Sequence, residues 1–249
     1  MVEEDRTGRI VGAALRMPNP IHPRLDYLDL AVVGDASVDL VHAVAQIGEH
    51  PALLRAIPGS RTHELALAAG ATVFERVPAA CIDPADPQVI QWAISHQGDT
   101  RSGTGFSTDQ LTDLWIDFYV RAHQHFGVTS DRSLVRSQLR GFVSRAVDPT
   151  LTRIVETGGR PVAIAFAFRE GPSLMALVDS LQPDHPDARH HVEVALAALL
   201  QGLPPEPIEL DGHESGQHYP AVLATIPNVT AGPLTPMELL KISQSMEAG

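Results

Sequence analysis

The chain has 249 residues, 44% hydrophobic and 19% charged, the composition of a globular protein with room for one large domain or two modest ones. Against 18 Lys plus Arg stand 30 Asp plus Glu, and the net charge of −12 repels nucleic acid and anionic membrane, so neither is an expected partner. The opening MVEEDRTGRI carries acid where a secretory signal carries base, and no apolar run nears the roughly eighteen residues of a membrane span, so a cytoplasmic protein is expected. Cys81 is the single cysteine; it leaves no internal disulfide or multi-cysteine metal site, and its setting, VPAACID, reads as a buried, inert thiol.

In chain order, RIVGAALRMP and LDYLDLAVV read as two strands around the turn NPIHPR, with Asp26 and Asp29 on opposite faces under strict alternation. GDASVDLVHAVAQIGEH has cap candidates at Asp35 and Ser37 ahead of apolar residues at helical spacing. ALLRAI is a further strand, RTHELALAAGA a short helix ending at Gly70, and TVFERVPAACID a final strand. Residues 1–87 therefore form one unit, ordered strand, strand, helix, strand, helix, strand. Residues 88–106, with prolines before them and the DTRSGTG run near their end, read as a linker. Ser107 to Gln110 is a capping-box pattern that opens a helix with an apolar face at Leu111, Leu114, Trp115 and Phe118. A second helix follows from about Ser130, then two strands joined at Gly158-Gly159, a turn in which both central residues can take positive φ. The strand LMALVDSL, a helix over about 187–200, the strand PIELDG, a short helix near 218–226 and a tail strand PMELLKI complete a second unit over 107–249.

This element order resembles the GNAT superfamily of N-acetyltransferases in tandem, with an α/β (α+β) fold of mixed sheets flanked by helices and a truncated first unit. The resemblance implies an acyltransferase of a small-molecule amine, with acyl-CoA or a carrier-bound thioester as donor and a carrier protein or partner subunit as possible company. It also implies a Gln/Arg-x-x-Gly-x-Gly/Ala loop after the fourth strand, whose backbone amides hold the CoA pyrophosphate at a helix start. The matching stretches here are Pro186-Asp187-Ala188-Arg189-His190-His191, which has no glycine, and Val33-Gly34-Asp35-Ala36-Ser37-Val38, which has one. A carboxylate such as Asp187 or Asp35 at that helix start would itself satisfy the dipole and repel phosphate. The family's Tyr, general acid for the leaving thiolate, falls at Ala66 and Ala224, counting back from Gly70 and Asn228; Tyr219 lies about one turn before Ala224. A repurposed enzyme on this fold, acting on a small metabolite of specialised metabolism by proton abstraction, elimination or ring closure without CoA, is the alternative. A noncatalytic partner subunit is the third reading.

Three groups of residues could carry the chemistry. Asp179, late in LMALVDSL, is placed for a general base, a partly desolvated carboxylate having a raised proton affinity; its plainer role is a cap at the strand end. Asp26 and Asp29 are its first-unit counterparts. His213 and Glu214, after the strand PIELDG, form a candidate acid-base residue and orienting partner, or else a polar loop. Arg132 and Arg136, with Arg140, recur every four residues and, with Tyr219, are candidates for binding an anionic substrate; their plainer role is a solvated helix face paired with acidic neighbours. No two of His185, His190 and His191 are four apart, so no metal site is expected from them.

Overall fold

Two six-stranded mixed sheets, each flanked by helices, organise the computed structural model, which describes residues 1–243. The first unit comprises Met1–Arg76, Phe126–Ser130 and the segment from Met237; the second comprises Val77–His125 and Asp131–Pro236. No helix among the described residues is long and apolar enough to cross a membrane.

In the first unit the chain runs β1 (Val2–Glu4), β2 (Ile10–Pro18), β3 (Asp26–Val32), α1 (Val38–Ala45), β4 (Ala52–Ala56), α2 (Arg61–Ala68) and β5 (Thr72–Val77). The order strand, strand, helix, strand, helix, strand is the expected one, with β1 added at the edge. Leu40, Val41 and Val44 of α1 and Ala66 of α2 pack onto Leu28, Leu54 and Leu240 of the sheet. Arg16 is buried beneath α1: its Nε donates to Asp26 Oδ2 at 2.7 Å, and its Nη1 donates to the Ala45 carbonyl at 2.5 Å. One guanidinium thus satisfies a helix C-terminal carbonyl and a buried carboxylate together, and Asp26, read as a candidate base, is structural.

The second unit follows with β6 (Cys81–Ile82), α3 (Pro87–Ser95), β7 (Arg101–Ser102), α4 (Thr108–Ala122), α5 (Arg132–Ala146), β8 (Arg153–Thr157), β9 (Arg160–Glu170), β10 (Ser173–Ser180), α6 (Ala188–Gly202), β11 (Ile208–Leu210) and α7 (Tyr219–Leu223). Its sheet order is β6-β11-β10-β9-β8-β7. Both expected local devices are present. Ser107 and Gln110 make the reciprocal capping box of α4, and Gly158 and Gly159 turn β8 into β9 at φ +58° and +73°. Strand β9 is central and buried on both faces: Ala163, Ala165 and Ala167 face the cluster that contains α6, while Ile164, Phe166 and Phe168 face Trp115 and Phe118 of α4. Small residues on one side let α6 approach closely; large ones on the other fill the wider gap beneath the aromatic face of α4.

Two segments depart from the sequence reading. Within residues 88–106, expected to be a linker, α3 buries Val89, Trp92 and Ala93 in the second unit's core. Its prolines mark a helix start: Asp86 caps the amides of Gln88 and Val89, and Pro87 occupies the first turn, where its missing N–H costs nothing. The tail strand, expected to complete the second unit, is β12 (Met237–Ile242), and it lies between β4 and β5 in the first sheet, whose order is β1-β2-β3-β4-β12-β5. Glu238 of β12 is gripped there by His63 Nε2 at 2.8 Å and by Arg76 Nε at 3.0 Å. In the second sheet the place beside β11 is taken by the two-residue β6.

Candidate functional site

In each sheet a parallel pair is short relative to its longer strand. β10 pairs with β11 from Leu174↔Ile208 to Ala176↔Leu210 and then runs on to Ser180; β3 pairs with β4 only at Asp26 and Tyr27 and runs on to Val32. Beyond these pairs the strands part, and the later residues of β10 and β3 keep hydrogen-bonded neighbours on one side only.

In the second unit that opening borders a pocket of about 640 Å³, sized for a small molecule. Met175 and Leu177 of β10 point toward the α4 side, and by the two-residue period of a strand so does Asp179. Asp179 is half-buried in the pocket wall. Burial pushes its carboxyl pKa up; the Ser180 amide at 2.7 Å and the charges of His218 and Arg121 oppose the rise without cancelling it. Arg121, in the last turn of α4, also lines the pocket, and its Nη1 donates to the Ser180 carbonyl at 3.0 Å. His185 stands on the rim, its Nδ1 accepting from the Asp187 amide, which leaves its Nε2 as a donor.

Of these pocket-lining residues, Asp179 was a candidate from the sequence, Arg121 was not, and His185 was weighed there only as a metal ligand. The signal for Arg121 was present: it lies three residues after Phe118, on the apolar side of α4, where a solvated arginine has no reason to be. The other candidates lie elsewhere. His213 and Glu214 do not line the pocket, although the next three residues, Ser215 to Gln217, do. The His213 ring packs at 4.8 Å from His123 and 6.2 Å from His125, and Glu214 is exposed.

Tyr219 is buried in the core at 2% exposure, with its hydroxyl 3.4 Å from the Leu210 carbonyl, and burial raises its pKa far beyond the range of a working acid. It belongs to the packing and not to substrate binding.

Arg132 and Arg136 are also corrected. On α4, Asp109, Asp113 and Asp117 recur every four residues and face the arginines of α5 in antiparallel register. Arg132 pairs with Asp117 at 2.6 Å, Arg136 with Asp113, and Arg140 with Asp109 at 2.9 Å. The positive stripe is neutralised by a complementary acidic one.

The acyl-CoA implied by the fold needs amide donors at the start of α6, and the loop that leads there keeps most of its amides for the chain itself. Leu181 N–H donates to the Val162 carbonyl, Gln182 to Ser180 Oγ, His185 to the Gln182 carbonyl, Asp187 to His185 Nδ1 and Ala188 to the His185 carbonyl. Pro183 and Pro186 have no N–H at all. Four amides of the loop and the first of α6 are thus committed to the chain itself, ahead of the Arg189 and His190 amides in the first helical turn. Asp187 occupies the N-cap position of α6, and its carboxylate makes no cap hydrogen bond there. In the first unit, Val33 and Gly34 donate to the Val11 carbonyl, and the Ser37 amide donates to the Glu3 carboxylate at 2.9 Å. Asp35 turns away to Arg61. Gly34 is required by close approach to Val11, whose Cγ1 lies 2.8 Å from where a Cβ would stand.

No family model matches the sequence, and no curated protein matches it. Solved structures match in fold. A GCN5-related N-acetyltransferase from Sphaerobacter thermophilus superposes with a TM-score of 0.58 at 12% identity, over 96% of this chain and 78% of that one. A tandem GNAT protein from the clavulanic acid biosynthesis pathway gives 0.54 at 13% identity, over 94% and 79%. The chain has a tandem GNAT fold. The GNAT likeness rests on strand order and helix placement, and the loop chemistry at both helix starts departs from it.

Proposed function

We propose that this protein is a GNAT-fold enzyme whose second unit takes a proton from a small, amine-bearing metabolite at Asp179, as a divergent acyltransferase does when its amine attacks an acyl donor. The observation that carries this reading is the half-buried Asp179 carboxylate, its proton affinity raised, facing a small-molecule pocket at the open end of β10. In such a transfer the nitrogen-acyl bond forms, the acyl bond to the leaving atom breaks, Asp179 takes the amine proton and passes it to solvent, and the leaving group draws its proton from solvent. No tyrosine is placed to protonate it. The donor suited to this site is an activated ester or thioester that does not depend on a pyrophosphate grip at α6.

The closed loop before α6 favours a second reading, in which Asp179 removes a proton from a carbon acid for elimination or ring closure and no acyl donor takes part. Transfer assays on a panel of small amines, with acetyl-CoA and with the acetyl thioester of N-acetylcysteamine as donors, separate the two. Turnover with the truncated thioester at least equal to that with acetyl-CoA, and lost in Asp179→Asn, supports acyl transfer. No product from either donor, with no thermal stabilisation by acetyl-CoA or desulfo-CoA, transfers support to the second reading. Turnover that survives Asp179→Asn removes both.

A further inference from the structure

Arg121 differs from the three stripe arginines of α5. Arg132, Arg136 and Arg140 each meet at least one aspartate of the acidic stripe, whereas Arg121 has one described polar partner, the neutral Ser180 carbonyl, and no described carboxylate within 4.0 Å. A guanidinium offers five N–H donors in a planar fork matched to a carboxylate, and here one atom of that fork is engaged. The chain carries a net charge of −12, yet this half-buried cation in the pocket wall makes no ion pair with a described carboxylate and meets the charge of Asp179 only at longer range. Asp184 also lines the pocket and is not one of its partners. The carbonyl that Arg121 grips belongs to Ser180, the residue after Asp179, so the fork and the carboxylate are fixed to adjacent links of one strand end.

We infer that the pocket takes a small amino carboxylate, its carboxylate held by the Arg121 fork and its amine directed to Asp179. This rests on the reading of the pocket as the substrate site and adds the substrate class. The two charges of such a ligand are separated by a few bonds, as are Arg121 and Asp179 through Ser180. A plain amine would leave Arg121 desolvated without compensation, and a plain carboxylate would do the same to Asp179.

Binding of β-alanine, propylamine and propionate to the full chain, measured by calorimetry or saturation-transfer NMR, tests the inference. β-Alanine should bind most tightly. Arg121→Gln should weaken β-alanine and propionate by about tenfold or more, the scale of a charged hydrogen-bonded pair, and leave propylamine unchanged; Arg121→Lys should restore part of the loss. Propylamine binding as tightly as β-alanine, β-alanine binding unaffected by Arg121→Gln, or no binding by any of the three would overturn it. Should Arg121→Gln fail to fold, the Arg121→Lys variant and the ranking of the three probes on the wild type decide. Weakened binding in Arg121→Gln beside transfer rates that survive Asp179→Asn would keep the substrate class and remove the reaction.

Discussion

Glu238 in the first unit and Asp179 in the second are both carboxylates drawn largely out of water, and they are treated in opposite ways. Burial works to raise the Glu238 pKa, but hydrogen bonds from His63 and Arg76 outweigh it and hold the carboxyl below its ordinary range. Burial raises Asp179 as well, and there the Ser180 amide, His218 and Arg121 do not overcome it. A carboxylate fully matched by donors holds strands together. One left under-matched beside a pocket retains an appetite for a proton, which is the property a base requires. The helix starts differ in reach: the turn before α1 ties its amides to Val11 and to the Glu3 side chain, distant in sequence, whereas the turn before α6 bonds mostly within itself, through its backbone and the Ser180 and His185 side chains.

The largest expected effect is catalytic. Asp179→Asn should lower transfer rates by about 10²- to 10⁴-fold, while Asp29→Asn, on the open stretch of β3, should leave them unchanged; equal losses would show that both units work and erase the contrast. Next in size is Arg16→Met. It strands the buried Asp26 and should cost the first unit about 3–5 kcal/mol in denaturant unfolding, and a loss below 1 kcal/mol would mean water reaches that pair.

The two carboxylates also predict opposite responses to pH. The Glu238 contribution is complete above the ordinary glutamate value of 4.5 and is lost as pH falls through its lowered value, so acid should loosen the first unit. For Asp179 the native state favours the protonated form. Its contribution is complete below the ordinary 3.8 and is lost as pH rises through the raised value. Asp179→Asn should therefore raise the second unit's melting temperature at pH 7 and give no gain below pH 3.8; a melting temperature lowered at pH 7 would mean the carboxylate is structural. Smallest is Arg136→Ala, whose partly exposed pairs with Asp113 and Asp109 are screened and should contribute about 0.2–1 kcal/mol. A loss of several kcal/mol would make the stripe a buried network.

Much of the fold was legible because it rests on local signals: the capping box at Ser107, the paired glycines at 158 and 159, and the alternating apolar residues of β9 and β10. Asp179 was legible for the same reason, since its place late in a buried strand is written in LMALVDSL. What escaped depends on partners distant in sequence. The arginine stripe is visible alone, but its function is decided by aspartates 15 to 31 residues earlier. Tyr219 reads as an accessible phenol until the fold turns it inward. The tail strand reads as part of the second unit because nothing local records which sheet has the open place.

Strand β12 has a consequence for how the chain is made. The first sheet keeps a gap between β4 and β5 until residue 242 has emerged from the ribosome, although every other strand of that sheet is finished by residue 77. The part synthesised first is thus completed last, with a long-range pairing that slows closure. Loss of the polypeptide beyond Pro236 would then unravel the beginning of the protein rather than its end.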